Sequence, residues 1–321
     1  MEVADVIYGS SGELEPVLQE LIGTETMQRQ KRLHQMGAWC FLYPECRHKR
    51  YEHSVGAMLL LRRFGADLKE QVAGLLHDAS HTAFCHVVDH LFEAREEDYT
   101  ESFMKRFVTG GDVARILVRH GFHPEEIIAL EQFPLLEQPR PDLCADRIDN
   151  SLRDGLAGRW ITPKDAQRFL DDFIVEQGRF VFQTRETAHH YARLWIQLDA
   201  WYANHKGVAS YCILADAMKQ AIDAGDLTME DLFTDDAVVM ERLRASVDPN
   251  VARLVNYLDQ GYEVVEDTEN HDYILHRKIR VVDPHVLGVG RLSTVHQPFA
   301  EELQKHLERR AVPARARIVA I

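Results

Sequence analysis

The segment that decides the fold runs from residue 75 to residue 86 and reads Leu75-Leu76-His77-Asp78-Ala79-Ser80-His81-Thr82-Ala83-Phe84-Cys85-His86. It places four titratable side chains within ten positions of an otherwise apolar stretch, which is unlike a surface helix. His77 and Asp78 are consecutive, so in mid-helix they would point about 100° apart. They can converge on one point only near a helix end, where Ser80 or Thr82 would cap the next helix.

Side chains of the same kind lie before and after this segment. Arg50-Tyr51-Glu52-His53 precedes it and Asp146 follows it, each at the edge of a helical pattern. Taken alone, each residue is better explained as a hydrogen-bonded histidine or a surface aspartate. Together, His53, the His77-Asp78 pair and Asp146 offer neutral nitrogen and anionic oxygen donors, a set that suits Fe, Mn, Co, Ni or Zn. The array predicts a buried divalent metal site, with Mg as a further option, and anionic substrates.

A third polar pattern begins at Asp146. Asp146, Asn150 and Asp154 are spaced four apart, which aligns them on one helical face with Arg147 and Arg153 beside it. A single polar stripe on a helix that is otherwise part of the core predicts a pocket wall.

These residues resemble the HD-domain metal-dependent phosphohydrolases, and within them the deoxynucleoside triphosphate triphosphohydrolase branch. The likeness extends from Asp5 to about Gly155 and then fades, with Asn204-His205-Lys206 as its best later fragment. The stretches that carry it are Thr24-Glu25-Thr26-Met27-Gln28-Arg29, Arg32-Leu33-His34-Gln35-Met36-Gly37, Leu42-Tyr43-Pro44, Arg47-His48-Lys49-Arg50-Tyr51-Glu52-His53-Ser54-Val55-Gly56, the segment from His77 to His86, and Asp146-Arg147-Ile148-Asp149-Asn150-Ser151-Leu152-Arg153-Asp154.

The resemblance implies a role for each matching residue. The metal ligands would be His53, His77, Asp78 and Asp146. The catalytic residues would be His81 and His86, for proton transfer and phosphate contact, and Glu101, which would orient a catalytic imidazole. The substrate contacts would be Arg50 and Arg147 for phosphate and Gln35 and Met36 for the sugar. Apart from the resemblance, the spacing of four places Asn150 and Asp154 on the pocket wall, and Lys206, with Arg193 and Tyr202 upstream on the same predicted helix, would close the pocket from outside the HD core.

Three positions depart from the family pattern. Thr100 stands where a histidine normally precedes Glu101, which weakens the case for a complete acid relay. Asn150 replaces a tyrosine that packs beside the sugar, so a preference for 2'-deoxyribose is in doubt. Gly23 replaces an aspartate that reads the guanine of a nucleotide activator. Guanine-nucleotide activation is therefore not expected.

The net charge and the cysteine content of the chain indicate which ligands and cofactors to expect. The chain has 321 residues and a net charge of −14, so general nucleic-acid binding is not expected. Positive charge for an anionic substrate must be local, and within the basic run from Arg47 to Arg50 we assign a functional role only to Arg50. The five cysteines form no CxxC pair, and core packing explains them better than disulfides or metal binding.

No secretory signal and no apolar run of about 18 residues is present, so we expect a cytoplasmic protein without a membrane span. The expected ligand is a nucleotide or another small phosphate ester. A homo-oligomer is also expected.

Apolar residues recur at helical spacing through most of the first two hundred residues. We therefore predict a mainly α fold, with a helical HD bundle over residues 1–225 and a small α+β region over residues 226–321. Two short apolar runs around Gln177-Gly178 predict a hairpin. Strands are predicted at residues 262–265, 273–275, 278–282 and 315–321, and a helix at residues 299–309.

The function predicted from these features is metal-dependent hydrolysis of a nucleotide phosphoester. The leading form is a (deoxy)nucleoside triphosphate triphosphohydrolase, and the alternative is a phosphomonoesterase or nucleotidase that acts on a smaller ester. A non-catalytic nucleotide sensor is less favoured, because a binding module has no need for a complete set of metal ligands. Diiron oxygenase chemistry ranks last, because His81 and His86 lie too close to the His-Asp pair to supply widely spaced ligands.

Overall fold

The computed structural model describes residues 2–92, 99–275 and 278–321. The chain is 57% helical, which confirms the predicted mainly α class. The helices are α1 Pro16–Ile22, α2 Glu25–Gln30, α3 Arg50–Arg63, α4 Leu68–Leu76, α5 Val87–Leu91, α6 Met104–Val108, α7 Gly111–Arg119, α8 Pro124–Ile127, α9 Ala145–Ala157, α10 Pro163–Asp172, α11 Arg185–Tyr202, α12 His205–Ala224, α13 Asp236–Ala245, α14 Pro249–Gln260, α15 Leu292–Val295 and α16 Gln297–Arg310.

The strands are short and lie mostly in the second half of the chain. They are β1 Ala4–Asp5, β2 Gly9–Ser10, β3 Phe173–Glu176, β4 Arg179–Phe182, β5 Tyr262–Glu266, β6 Tyr273–Leu275, β7 His285–Val286, β8 Gly290–Arg291 and β9 Ala314–Ala320. The predicted hairpin is confirmed, since β3 and β4 pair antiparallel with Phe173 opposite Phe182. The strand predicted at residues 278–282 is wrong: these residues run without a strand partner toward β7.

The helices that carry the site are fixed by local signals. Asp67 caps α4 by accepting a hydrogen bond from the Glu70 amide at 2.8 Å, and α4 ends at Leu76. His77 therefore lies at the helix end, as predicted. The next helix, α5, begins only at Val87 after His86, so the predicted capping by Ser80 or Thr82 is wrong.

Helix α3 is the centre of the first core cluster and packs against α4 and α9. Its residues from His53 to Leu61 are buried, so both faces of the helix contact protein. Helix α12 holds the second core cluster together, between α5 and α14. The site described below lies where the two clusters meet.

Two small sheets connect the later part of the chain to these helices. Strand β7 pairs parallel to β4, with Val181 opposite His285, and β8 pairs with β7. Strand β9 lies between β5 and β6 and contacts α12. Residues on both sides of position 225 thus share a sheet, and the division at 225 stays a prediction. Among the described residues, no helix combines the length and the apolarity that a bilayer crossing requires.

Candidate metal centre and active site

The four predicted metal ligands converge from three helices. His53 Nε2 lies 3.1 Å from His77 Nε2, 3.1 Å from Asp146 Oδ1 and 3.3 Å from Asp78 Oδ2. His77 Nε2 lies 3.4 Å from Asp78 Oδ2 and 3.6 Å from Asp146 Oδ1. Donors bound to one transition metal at about 2.0–2.2 Å are separated by about this much.

The orientation of the two imidazoles supports a cation between them. His53 Nδ1 lies 2.8 Å from Asp149 Oδ2, and His77 Nδ1 lies 2.8 Å from the Gly74 carbonyl oxygen. Both partners are acceptors, so each Nδ1 carries the proton. The two Nε2 lone pairs then face each other and two carboxylates, an arrangement that a bound cation would satisfy. Nitrogen and carboxylate oxygen donors fit a divalent transition metal.

The electrostatics of the ligands agree with this. Burial lowers the pKa of His53, but hydrogen bonds with Asp146, Asp149 and Asp78 outweigh burial and raise this pKa well above its ordinary value. Burial raises the pKa of Asp78, but Arg50, His77 and His81 outweigh it and hold this pKa well below its ordinary value. The cluster is thus a buried negative site that requires positive charge.

A second layer of residues supports the ligands from behind. Asp149 accepts hydrogen bonds from Arg153 Nε at 2.7 Å and Nη2 at 3.0 Å, and Arg153 also bonds Asp5 at 2.7 Å. A Cβ at Gly56 would lie 2.0 Å from Arg153 Nη2 and from Asp149 Oδ1. Glycine at this position of α3 is what allows α9 to bring Asp149 to His53.

Changing Asp149 to Asn is expected to weaken metal affinity by roughly 10- to 100-fold, because the amide no longer fixes the proton on His53 Nδ1. The fold should survive, since Arg153 keeps Asp5 as a carboxylate partner. Metal titration of the apo protein measures the effect. Asp171→Asn, an exposed aspartate paired with Arg63, is the matched control. Equal affinity in both variants would mean that Asp149 does not support the metal.

The turn between α4 and α5 is held by residues distant in sequence. Arg29 donates to the carbonyl oxygens of Ala79 at 2.9 Å and His81 at 2.8 Å. Phe84 and Cys85 have left-handed φ angles of 55° and 49°, which non-glycine residues seldom adopt. The Phe84 amide is anchored on Asp236 Oδ1 at 2.7 Å. These contacts fix the backbone that carries His81 and His86.

His81 and His86 lie beside the ligand cluster. His81 Nε2 contacts Asp78 Oδ1 at 3.1 Å, while its buried Nδ1 has no hydrogen-bond partner. Burial and the positive charge of Arg50 lower the pKa of His81 to about 3, so its imidazole is neutral. His86 Nδ1 bonds Asp89 Oδ2 at 2.9 Å, and the two imidazole rings are 5.1 Å apart. Glu101, predicted to orient an imidazole, is exposed and lines the larger cleft, and that role stays a prediction.

Two cavities with shared lining residues border the predicted metal ligands. The larger is a cleft of about 930 Å³ that reaches His77, Asp78, His81, His86 and Glu101. The smaller is a pocket of about 100 Å³ with aromatic walls from Trp39, Trp195, Tyr202 and Tyr211. The side chains shared by both cavities are Arg50, His86, Arg140, Asp146, Arg147, Asn150 and Arg280.

The predicted substrate contacts lie around these cavities, with one exception. Gln35 Nε2 donates to Asn150 Oδ1 at 2.7 Å, and Asn150 Nδ2 donates to Asp146 Oδ1 at 2.8 Å, so two predicted substrate contacts connect to a predicted metal ligand. Met36 and Asp154 line the smaller pocket, and Tyr202 donates a hydrogen bond to Asp154.

Lys206 is the exception. Its ammonium pairs with Glu263 at 3.1 Å and lies over the Tyr262 ring, and Lys206 is not among the residues that line the two cavities. The first turn of α12 lies against the three-stranded sheet, so the structure does not bring Lys206 to either cavity.

The arginines are crowded against one another. Arg50 donates to Asp78 at 2.7 Å and Arg147 donates to Glu137 at 2.6 Å. Burial and the neighbouring Arg147 lower the pKa of Arg140. Burial and Arg50 lower the pKa of Arg280 to about 10, against the attraction of Asp89. Burial and a neighbouring arginine thus disfavour the charge of Arg140 and of Arg280, and an anion bound in the cavities would favour it.

Sequence reasoning missed Asp89, Asp149, Arg140 and Arg280. Asp89 is three residues after His86, a spacing that a short helix brings together and that could have been recognised. Asp149 was read only as part of a motif. Arg280 had no signal, because its position depends on packing of the chain far from the motif.

Comparison with known proteins agrees with this geometry. Residues 50–154 match the HD domain. The metal-dependent phosphohydrolase cns2 of Cordyceps militaris is 32% identical over 320 residues, with 95% of this chain and 92% of that protein covered. The chain belongs to the HD-domain metal-dependent phosphohydrolases. The HD-domain chain is therefore a hydrolase, as predicted.

Two other relatives show how far the likeness extends. The uncharacterized protein YdhJ of Bacillus subtilis is 39% identical over 288 residues, with 89% of the HD-domain chain and 88% of that protein covered. The deoxynucleoside triphosphate triphosphohydrolase SAMHD1 of Gallus gallus is 28% identical over 148 residues, only 39% of this chain and 24% of that protein. The family is shown along nearly the whole chain, whereas the likeness to a triphosphohydrolase is limited to part of it.

Proposed function

We propose that this phosphohydrolase cleaves a nucleotide phosphoester and releases triphosphate from a (deoxy)nucleoside triphosphate. The observation that carries the proposal is the group of arginines around the ligand cluster, where Arg50, Arg140 and Arg147 line the wall shared by a cleft and an aromatic pocket. Planar guanidinium groups bind phosphate oxygens in pairs. Several of them around one metal site suit a chain of phosphates better than a single phosphate.

In this proposal His53, His77, Asp78 and Asp146 would hold a divalent metal, which when bound would supply Lewis-acid activation of the phosphoester and of water. Arg50 contacts Asp78 and is buried, so it can neutralise charge on the phosphate next to the metal without moving. Arg147 is fixed by Glu137 and by the Asp142 carbonyl oxygen, at 2.8 Å from the latter. Preorganised cations of this kind stabilise a developing oxyanion at little reorganisation cost.

His86 and Asp89 form the proton-transfer pair in this proposal. Asp89 fixes the proton on His86 Nδ1, so Nε2 is left to exchange a proton in the cavities that His86 lines. His81 stays neutral and contributes a hydrogen-bonding edge next to Asp78. The apolar walls of the aromatic pocket exclude water from the nucleoside end, which strengthens each polar contact.

A phosphomonoesterase that acts on a smaller ester is the second candidate. It is favoured by the aromatic pocket, whose volume is only about 100 Å³. It is also compatible with the relatives that cover most of the chain, because neither is named a triphosphohydrolase.

One experiment separates the two candidates. Metal-reconstituted protein is incubated with nucleoside mono-, di- and triphosphates in ribo and deoxy forms, and phosphorus NMR identifies the released species. Inorganic triphosphate as the first product supports the triphosphohydrolase. Release of single phosphates from monophosphates, with triphosphates left intact, identifies the monoesterase instead.

Sugar specificity follows from Asn150. No aromatic ring occupies its position, so discrimination against a 2'-hydroxyl should be limited to about 1 to 3 kcal/mol. We expect ribo- and deoxyribonucleotides to differ modestly in kcat/KM, and added guanine nucleotide to accelerate neither, because Gly23 offers no side chain to an activator. Matched kinetics with and without a guanine nucleotide test both parts. A deoxy preference beyond about 10⁴-fold would show that other residues guard the sugar.

A further inference from the structure

A segment outside the HD domain enters the active site. Arg280 lies more than a hundred residues after the HD match, which ends at residue 154, yet its side chain lines both cavities. Lys278 lines the larger cleft two residues earlier. Residues 278–284 have no strand partner in the described part of the chain. Something other than a sheet must therefore hold this segment in place.

Asp199 of α11 is the main anchor of this segment. Its side chain is fully buried, and its Oδ1 accepts a hydrogen bond from the Arg280 backbone amide at 2.5 Å. Its Oδ2 accepts from His306 Nε2 and Arg310 Nε, both on α16 and both at 2.7 Å. Burial raises the pKa of Asp199, but His306, the Arg280 amide and Arg310 outweigh it and lower this pKa, so the carboxylate stays charged.

A second contact fixes the other end of the segment. The Asp283 amide donates to the Pro141 carbonyl oxygen at 3.1 Å, next to Arg140 in the loop that borders the cleft. Arg280 is therefore held at its own backbone and again three residues later. Burying the charged Asp199 carboxylate costs desolvation free energy, even though an imidazole, a guanidinium and a backbone amide donate hydrogen bonds to it. These contacts together place the Arg280 guanidinium beside Arg50.

We propose that Arg280 binds a phosphate of the substrate, and that Asp199 with His306 and Arg310 positions it. The proposal rests on the proposed function, because it takes the substrate to be a nucleotide polyphosphate. Arg280 shares the cavity wall with Arg140 and Arg147, on the side of His86 and Asp89. A phosphate there bridges the HD domain and the C-terminal segment, so that substrate binding depends on residues that the HD motif does not contain.

Binding of inorganic triphosphate tests the phosphate contact without requiring turnover. Calorimetry on the metal-loaded full chain is expected to show roughly 10- to 100-fold weaker binding in Arg280→Ala, the worth of a charge-assisted contact, and partial recovery in Arg280→Lys. With a nucleotide substrate, KM should rise by a similar factor while kcat changes much less. Metal content should be unchanged.

A double-mutant cycle between Arg310 and Arg280 tests whether the residues around Asp199 act through Arg280. Arg310→Ala should weaken triphosphate binding by roughly 3- to 30-fold, and should have little further effect when Arg280 is already alanine, because the two residues act on one contact. Arg309→Ala is the matched control: among the described residues this neighbour on α16 donates to the Lys305 carbonyl oxygen, at 3.3 Å, and its replacement should leave binding unchanged. His306→Gln is the second anchor variant if Arg310→Ala loses its fold.

The outcomes distinguish three failures. Failure of the wild-type protein to bind inorganic triphosphate overturns the proposed function, and this inference with it. Wild-type binding that Arg280→Ala leaves unaltered overturns only the phosphate contact. Additive effects of Arg280→Ala and the anchor variants, or an equal loss in Arg309→Ala, overturn the positioning role of Asp199 and its partners.

Discussion

Replacing Asp146 by alanine is expected to release the metal ion and to lower turnover by at least roughly 10³-fold, since a bound metal contributes several kcal/mol of transition-state stabilisation. Asp146 Oδ1 lies close to the Nε2 atoms of both histidines, so its loss removes a negative donor from the centre of the cluster. It also removes the acceptor of the Asn150 side-chain hydrogen bond. Elemental analysis and steady-state rates measure the two effects.

The matched control is Glu131→Ala. Glu131 is an exposed carboxylate that lines the same cleft, and its removal should leave metal content and rate unchanged. His53→Ala, His77→Ala and Asp78→Ala should lose metal as Asp146→Ala does. Full stoichiometric metal with unchanged affinity in two or more of the four variants would mean that the metal site is elsewhere.

Replacing His86 by glutamine is expected to lower kcat by roughly 10²- to 10⁴-fold while the metal stays bound, because the variant loses a proton-transfer group but no metal ligand. Asp89→Asn should cause a loss in the same direction, since Asp89 fixes the tautomer of His86. Rates normalised to metal content are the measurement. His86→Gln and His81→Gln that both turn over at the wild-type rate would leave a hydrolysis driven by the metal alone.

The pH dependence of the turnover rate tests the role of His81. The pKa of His81 is lowered to about 3, so its imidazole is uncharged both at about pH 5 and at about pH 8, and it gains a proton only as the pH falls further. His81→Gln should therefore change the size of the rate but not the shape of its profile in this range. A titrating limb that disappears in His81→Gln would show that this imidazole carries a proton during turnover.

The sequence was informative where chemistry demands a fixed residue type. His53, His77, Asp78 and Asp146 could be proposed as ligands because few combinations of side chains hold a transition metal. The end of α4 at Leu76 followed from the same reasoning, since two consecutive residues can face one ion only where a helix stops.

Long-range packing set the limits of prediction. The interval from residue 278 to 282 has apolar residues that suggest a strand, but it lies against α11 and the loop at Pro141. The Arg280 amide therefore bonds the Asp199 side chain, and the Asp283 amide just after the interval bonds the Pro141 carbonyl oxygen, instead of a sheet. Lys206 lies in a fragment that resembles the family, yet α12 directs it toward Glu263. The local sequence of a segment does not indicate which distant helix or loop will pack against it.

Hydrolysis in oxygen-18 water tests the central claim most directly. Metal-loaded protein is mixed with a nucleoside triphosphate in labelled water, and mass spectrometry locates the label in each product. Attack of water on phosphorus at the site formed by His53, His77, Asp78 and Asp146 predicts one labelled oxygen in the released triphosphate and none in the nucleoside, and product formation by Asp146→Ala that is slower by at least roughly 10³-fold. Label in the nucleoside, or the same labelled products from Asp146→Ala at the wild-type rate, would contradict it.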